Sequence, residues 1–395
     1  MTIALMKCIY LDHNATTPVD PRVLEAMLPY LREHFGNASS KNHPYGWKAN
    51  EAVEASRGNV AHLLGASPKE ILFTSGATEA NNLALLGLFA QAPKGKNHLV
   101  TQATEHHAVL DSALELGKRG VEVTVLRPDA YGRVSPEQVK KALTERTFLV
   151  SIMAANNEVG TLSPLAEIGG LLQQAGVLFH TDAAQAVGKI PIDVERMGID
   201  LLALSAHKFY GPKGVGALYV RSRKPQVKIS PLQHGGGQEK GIRPGTLNVP
   251  GIVGLGEACR LARDELAAEA SRLLALRERL HQGITSRLGG VKLNGHPEAR
   301  LPGTLNLSFE GVDGAALLVS LPELAVSSGS ACTTGSVEPS YVLKAMGVPD
   351  SLAVATIRFG LGRYTTEEEV DTAALRVAQV VEKMRDQLSA VEASA

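Results

Sequence analysis

From about Glu70 to Val220 the chain alternates short β-rich runs with helical stretches, and this alternation limits the possible folds more than any other feature. EILFT precedes a helix opening near SGATEANNLALLG, HLVTQ precedes a helix over 106–119, and VEVTVL, FLVSIM, VLFHTDA, DLLALSA and GALYV continue the pattern. Short apolar strands separated by amphipathic helices predict a mostly parallel sheet covered by helices on both faces. In such folds, sites gather at the carboxyl ends of the strands. After GIRPGTLNVP a long helix carries Leu273, Leu276, Leu280 and Ile284 on one face, followed by strands in TLNLSF, LAVSS and ATIRFGL mixed with helices. That second pattern predicts a smaller α+β unit. The last helix opens with a capping box, Thr366 with Glu369, and carries an apolar stripe through Val370, Val377, Val381, Met384 and Leu388.

A chain of 395 residues is too long for one simple core, so two domains are expected. The 40 basic and 40 acidic side chains cancel, which leaves no electrostatic footprint for nucleic acid or an anionic membrane surface. MTIALMKCIYLD does not read as a secretory signal, and no apolar run approaches the length that spans a bilayer. Three widely spaced cysteines argue against a disulfide framework and against a CxxC metal site, so a reducing, cytoplasmic setting is expected. Cys8, in KCIYL, and Cys259, in GEACRLARDEL, read as structural. Cys332 instead lies in SSGSACTTGSVEP, among small polar residues where a packed thiol has no apolar neighbours.

The residues with chemical potential fall where strands are predicted to end. SGATE, Ser75 to Glu79, forms a small turn at a helix start, where free N–H groups and hydroxyls suit an anion; an N-capped helix with nothing bound is the competing reading. Asp182 closes the strand VLFHTD, and Lys208 follows DLLALSA. A lysine at the rim of a low-dielectric cleft has its pKa lowered, which frees the amine to form a Schiff base. Lys213, between Pro212 and Gly214, is the rival and reads as a water-exposed turn. Together these pieces suit pyridoxal 5'-phosphate: a helix start for its phosphate, a lysine for its aldehyde, a carboxylate for its ring nitrogen, and His106 as a flat partner. His180 and Asp182 share a strand face, yet no third metal ligand is evident, so no metal is expected.

The segments LDHNATTPVDPRV, FTSGATEANNLA, TEHHAVL, ANNEVGTLSP, HTDAAQAVGKIPID, SAHKFYGPKGVGALYVR, HGGGQEKGIRPGT, SSGSACTTGSVEPSYVL and TIRFGLGRYTTEEE resemble the cysteine desulfurase family, in the group that supplies sulfur for iron–sulfur clusters, including nitrogenase-type clusters. The resemblance covers nearly the whole chain in order. It implies fold type I of the pyridoxal phosphate enzymes, the aspartate-aminotransferase-like fold. A large cofactor-binding domain would span 15–262, and a small domain 1–14 with 263–395, carrying a cysteine loop over about 327–338. It further implies a homodimer with active sites at the subunit interface. By resemblance, Lys208 is the Schiff-base lysine, Asp182 the partner of the ring nitrogen, His106 the stacking histidine and Gln185 a donor to the phenolic oxygen. Ala77, Thr78, Ser205 and His207 match the phosphate cradle, and Thr246 matches a threonine that reaches the other subunit's phosphate. Asn157 and Arg358 match the residues that hold the substrate carboxylate, a task suited to the planar fork of arginine.

The reaction so implied converts L-cysteine to L-alanine. Lys208 removes the Cα proton, the Cys332 thiolate takes the sulfur as a persulfide, and His106 serves as a base that helps form the thiolate. The persulfide then passes to an acceptor such as an iron–sulfur cluster scaffold. Two alternatives use the same fold: a selenocysteine or cystine lyase that needs no protein nucleophile, and a non-catalytic sulfur-carrier scaffold.

Overall fold

The computed structural model describes residues 8–223, 226–328 and 338–394. Its strands, in chain order, are β1 (Ile9–Tyr10), β2 (Ile71–Thr74), β3 (His98–Gln102), β4 (Glu122–Leu126), β5 (Thr147–Ser151), β6 (Leu178–Asp182), β7 (Leu201–Ser205), β8 (Gly216–Val220), β9 (Val291–Leu293), β10 (Thr304–Phe309), β11 (Leu324–Ala325) and β12 (Thr356–Gly360). Seven of them form one sheet in the order β2-β8-β7-β6-β5-β3-β4. β8 runs antiparallel to both neighbours and every other pairing is parallel.

The physical basis is visible residue by residue. β3, β5 and β7 are buried at every position. Side chains alternate across a strand, so adjacent residues serve opposite cores. Val100, Val150 and Leu202 enter one core, with Val53 and Val60 of the helix Pro44–Leu64 and Ile252 and Leu255 of the helix Val249–Thr285. Their neighbours Leu99, Leu149 and Leu201 enter the other, with Leu83 of the helix Ala77–Phe89 and Val109 of the helix His107–Lys118. Strands buried on both faces have no polar positions to spare, which is why they read as continuous apolar runs.

β12, β10 and β9 form a separate antiparallel sheet. The helix Val249–Thr285 joins the two regions. Up to Ala262 its buried residues belong to the core of the large sheet, and from Leu273 they belong to the core of the small one. At 37 residues it is about 55 Å long. The capping box forms as expected: Thr366 N donates to Glu369 Oε2 and Glu369 N to Thr366 Oγ1.

Three expectations need amendment. The strand read in LAVSS is only the two residues of β11, and it pairs with β1 rather than with β10 or β12. β9 was not anticipated, since VKL is too short to carry a period. Cys8 is exposed, contrary to the packing read for it, because it precedes the two-residue β1 and has no sheet neighbour to cover it. Cys259 is fully buried, and burial pushes its thiol pKa up. Among the described residues no helix is long and apolar enough to cross a membrane, and no cluster of His, Cys, Asp and Glu could hold a metal ion.

Candidate active site

The carboxyl ends of β2, β6 and β7, together with the loops after β3 and β5, open onto one cavity of about 610 Å³. Lining it are Ala77 and Thr78 after β2, His106 after β3, and Asn157 after β5. Asp182 ends β6 with Gln185 just beyond, Ser205 ends β7 with His207 and Lys208 beyond it, and Arg358 reaches in from β12. Ten of the residues singled out by sequence thus converge. Thr246 is exposed and does not line this cavity. Cys332 lies outside the described residues.

Lys208 follows β7 in a single 3-10 turn, Ala206–Lys208. Its Nζ donates to the main-chain oxygens of Asn14 at 2.9 Å and Ala15 at 2.7 Å. Burial, reinforced by the nearby Arg358 charge, brings its pKa down to about 8, against the opposing pull of Asp182 and Asp12. Asp182 is buried and doubly held: Oδ2 accepts from Asn81 Nδ2 at 2.7 Å and Oδ1 from the Ala184 amide at 2.9 Å. The two bonds fix the orientation of the carboxylate. Glu105, fully buried beside Asp182, is pushed strongly towards its neutral form, first by burial and then by the Asp182 charge.

His106 caps the helix His107–Lys118, its Nδ1 accepting from the Ala108 amide at 3.1 Å. Burial lowers its pKa. In the neutral ring the proton therefore sits on Nε2. His207 is also held neutral, its pKa lowered to about 4 by burial and by Lys208 and Lys213, with Nδ1 3.1 Å from Thr16 Oγ1. Lys213 is exposed in a turn, as its flanking Pro and Gly suggested.

The helix Ala77–Phe89 starts at Gly76 with no side-chain cap, so its first amides are open. A Cβ placed on Gly76 would stand 3.7 Å from Ser205 Oγ, so a hydroxyl lies beside those amides. A Cβ on Gly216 would lie 2.7 Å from Gly76 Cα and 2.4 Å from Leu204 O, so glycine lets β8 pack against this turn. The Ser75 amide is already bonded to Glu79 Oε2 at 2.7 Å, and Arg243 neutralises Glu79 at 2.8 Å. Across the cavity, Asn157 Oδ1 and Arg358 Nε are buried with no hydrogen-bond partner. An uncapped helix start with hydroxyls, a desolvated lysine and a fixed carboxylate form a donor set that fits pyridoxal phosphate.

Sequence reasoning missed several supporting groups. Asn14 acts through its main-chain oxygen, which no side-chain pattern reveals. Asn81 lies one helical turn beyond Ala77 and faces Asp182 only because helix and strand pack together; Asp12 pairs with Arg358 at 2.8 Å across 346 residues of chain.

Comparison with known proteins agrees. Residues 9–373 match the family Aminotransferase class-V. The chain is 60% identical over 380 residues to the cysteine desulfurase IscS of Anaeromyxobacter dehalogenans (strain 2CP-C), covering 96% of this chain and 93% of that protein. A solved structure described as a NifS-like protein superposes with a TM-score of 0.88 at 41% identity, covering 95% of this chain and 99% of that one. Another, described as SspA in complex with cysteine, gives a TM-score of 0.81 at 41% identity, over 90% of this chain and 99% of that one. With the strand order, the desolvated lysine and the held carboxylate on one cavity, these likenesses establish that the chain belongs to the class-V aminotransferase family and, within it, to the cysteine desulfurases.

Proposed function

We propose that the chain converts L-cysteine to L-alanine in the cavity around Lys208 and takes the sulfur onto Cys332 as a persulfide for an acceptor protein. The observation that carries this reading is the pairing of a desolvated Lys208 with a buried, hydrogen-bonded Asp182 at the ends of the adjacent strands β7 and β6. The structural relative described with cysteine supports the substrate class.

When bound, pyridoxal phosphate supplies an aldehyde that captures the substrate amine and a ring that accepts the electron pair left at Cα. Asp182, oriented by Asn81 and the Ala184 amide, holds a proton on the ring nitrogen. Ala77, Thr78, Ser205 and His207, which line the cavity at the open helix start, would surround its phosphate. Lys208, with a pKa of about 8, has an accessible neutral amine and moves the Cα proton. Arg358, whose buried Nε is a donor without a partner, and Asn157, through its amide N–H groups, hold the substrate carboxylate. The Cys332 thiolate attacks the substrate sulfur: an S–S bond forms, the Cβ–S bond breaks, and its electron pair stays on the carbon skeleton, which takes up a proton to become alanine. His106, with Nδ1 bonded to the Ala108 amide, presents its proton at Nε2 and suits a donor rather than the base anticipated from sequence. The same reading makes the protein a homodimer in which Thr246 serves the other subunit's phosphate, and divides the chain near residue 262, where the two cores part.

The test is to add pyridoxal phosphate to wild type and Lys208→Ala, record the visible spectrum, and then assay alanine and sulfide from L-cysteine with a thiol reductant. Wild type is expected to gain a visible band and release both products, and Lys208→Ala to release neither. A colourless wild type that forms no alanine overturns the reading. Cys332→Ser is expected to form no enzyme persulfide, and unchanged persulfide formation removes Cys332 from the nucleophile role.

A further inference from the structure

The function above leaves Lys189 without a role. Gly188, with φ of 75° and its Cα facing the Phe209 ring, turns the chain so that residues 185 and 189 meet. Lys189 Nζ donates to Gln185 Oε1 at 2.8 Å, and among the described residues Lys189 has no carboxylate within ion-pair distance. An ammonium placed against a neutral amide inside the protein costs stability. Here it acts on orientation. A glutamine amide has an acceptor end and a donor end of nearly the same shape. Burial brings the Lys189 pKa down to about 7, but the amine carries N–H groups in either protonation state and donates to the oxygen, which turns Nε2 to the opposite side. There Nε2 spends one N–H on the main-chain oxygen of Asn14, at 2.8 Å, the same atom that accepts from Lys208 Nζ at 2.9 Å. The second N–H of Gln185 has no acceptor among the described residues, and the side chain lines the cavity.

We propose that Lys189 is a positioning residue that acts through Gln185, holding its amide as a hydrogen-bond donor to the ring oxygen of a pyridoxal-type cofactor beside Lys208. This rests on the cofactor reading above. The charged and titratable groups around Lys189 are Lys208, Arg358 and Glu269, with His13 and Tyr210 lining the same small cavity.

The experiment follows the visible band of the cofactor-loaded protein against pH in wild type, Lys189→Met, Gln185→Ala and the double variant. A donor to the ring oxygen favours the deprotonated form, so its loss raises the titration midpoint. Lys189→Met is expected to raise it by about 0.5 to 1 unit. In the Gln185→Ala background the same change is expected to move it by less than about 0.2 unit, because the two residues act as one. An unmoved midpoint in Lys189→Met overturns the inference. So does an equal shift in both backgrounds, which would mean a through-space charge effect. If Lys189→Met does not fold, Lys189→Gln, which replaces the ammonium with a shorter neutral amide, carries the same comparison. A wild type without a visible band counts against the cofactor reading. A normal wild-type titration with no effect of Lys189 counts against this inference alone.

Discussion

Arg358 Nη2 donates to Asp12 Oδ1 at 2.8 Å, so the guanidinium assigned to the substrate carboxylate already has an anionic partner. Asp12 also bridges to Gly360 through its main chain, and Arg358 Nη1 donates to Asn157 O at 3.0 Å. The guanidinium is thus clamped along one edge, and Nε is left without a partner. Asp12→Asn keeps an acceptor of the same size and removes the charge. The expected result is a KM for L-cysteine raised about 10-fold, equivalent to ~1.4 kcal/mol of lost positioning, with kcat within about threefold of wild type. Steady-state kinetics checks this; a lower kcat at unchanged KM contradicts it.

Lys208 links stability to pH in the cofactor-free protein. Its folded pKa of about 8 lies below the ordinary lysine value of 10.5, so the unfolded chain binds more protons between those limits. Folding is therefore penalised below pH 8, and the penalty fades as pH rises to about 10.5. A lowering of this size corresponds to an upper figure of about 3 kcal/mol. Lys208→Met is expected to be more stable than wild type at pH 7, with the difference shrinking steadily towards pH 10.5. Chemical denaturation of both proteins across that range reads the trend, and a constant difference contradicts it.

Gly188 occupies a backbone conformation with φ of 75°, and a Cβ there would stand 2.8 Å from Phe209 Cβ. Gly188→Ala therefore meets both a left-handed backbone and a buried ring that has little room to yield. A destabilisation of about 1 to 3 kcal/mol is expected. Thermal melting measures it, and Gly170→Ala, where a Cβ meets nothing within 4 Å at a half-buried position of the helix Leu165–Ala175, is the control.

The two described thiols differ in access. Cys8 is exposed, whereas Cys259 is fully buried with its pKa pushed up. Brief alkylation of the native protein at pH 8 is expected to label Cys8 and spare Cys259, with Cys259 labelled only after denaturation. Peptide mass spectrometry distinguishes the two, and early labelling of Cys259 would mean the helix Val249–Thr285 opens locally.

Much of the site was legible because its residues are local signals at strand ends. SGATE announces a helix start, Asp182 ends the apolar run VLFHTD, and Lys208 follows DLLALSA, so chain position alone brings them to one edge of a parallel sheet. The burial of β3, β5 and β7 was legible for the same reason: a strand covered on both faces tolerates no polar positions. What tied Lys208 to Asn14, Asp182 to Asn81 and Arg358 to Asp12 was not, since each contact spans between 101 and 346 residues. β9 and the exposure of Cys8 escaped because segments of two or three residues carry no period.

The sequence by itself therefore determined the alternation of strands and helices, the class of sheet and the residue types that suit a pyridoxal cofactor, because periodicity and side-chain chemistry are properties of neighbouring residues. Only the tertiary structure decided the protonation and orientation of those residues. The pKa of Lys208, the tautomer of His106 and the direction of the Gln185 amide depend on desolvation and on hydrogen bonds from elsewhere in the fold, and these exist only once distant segments have packed.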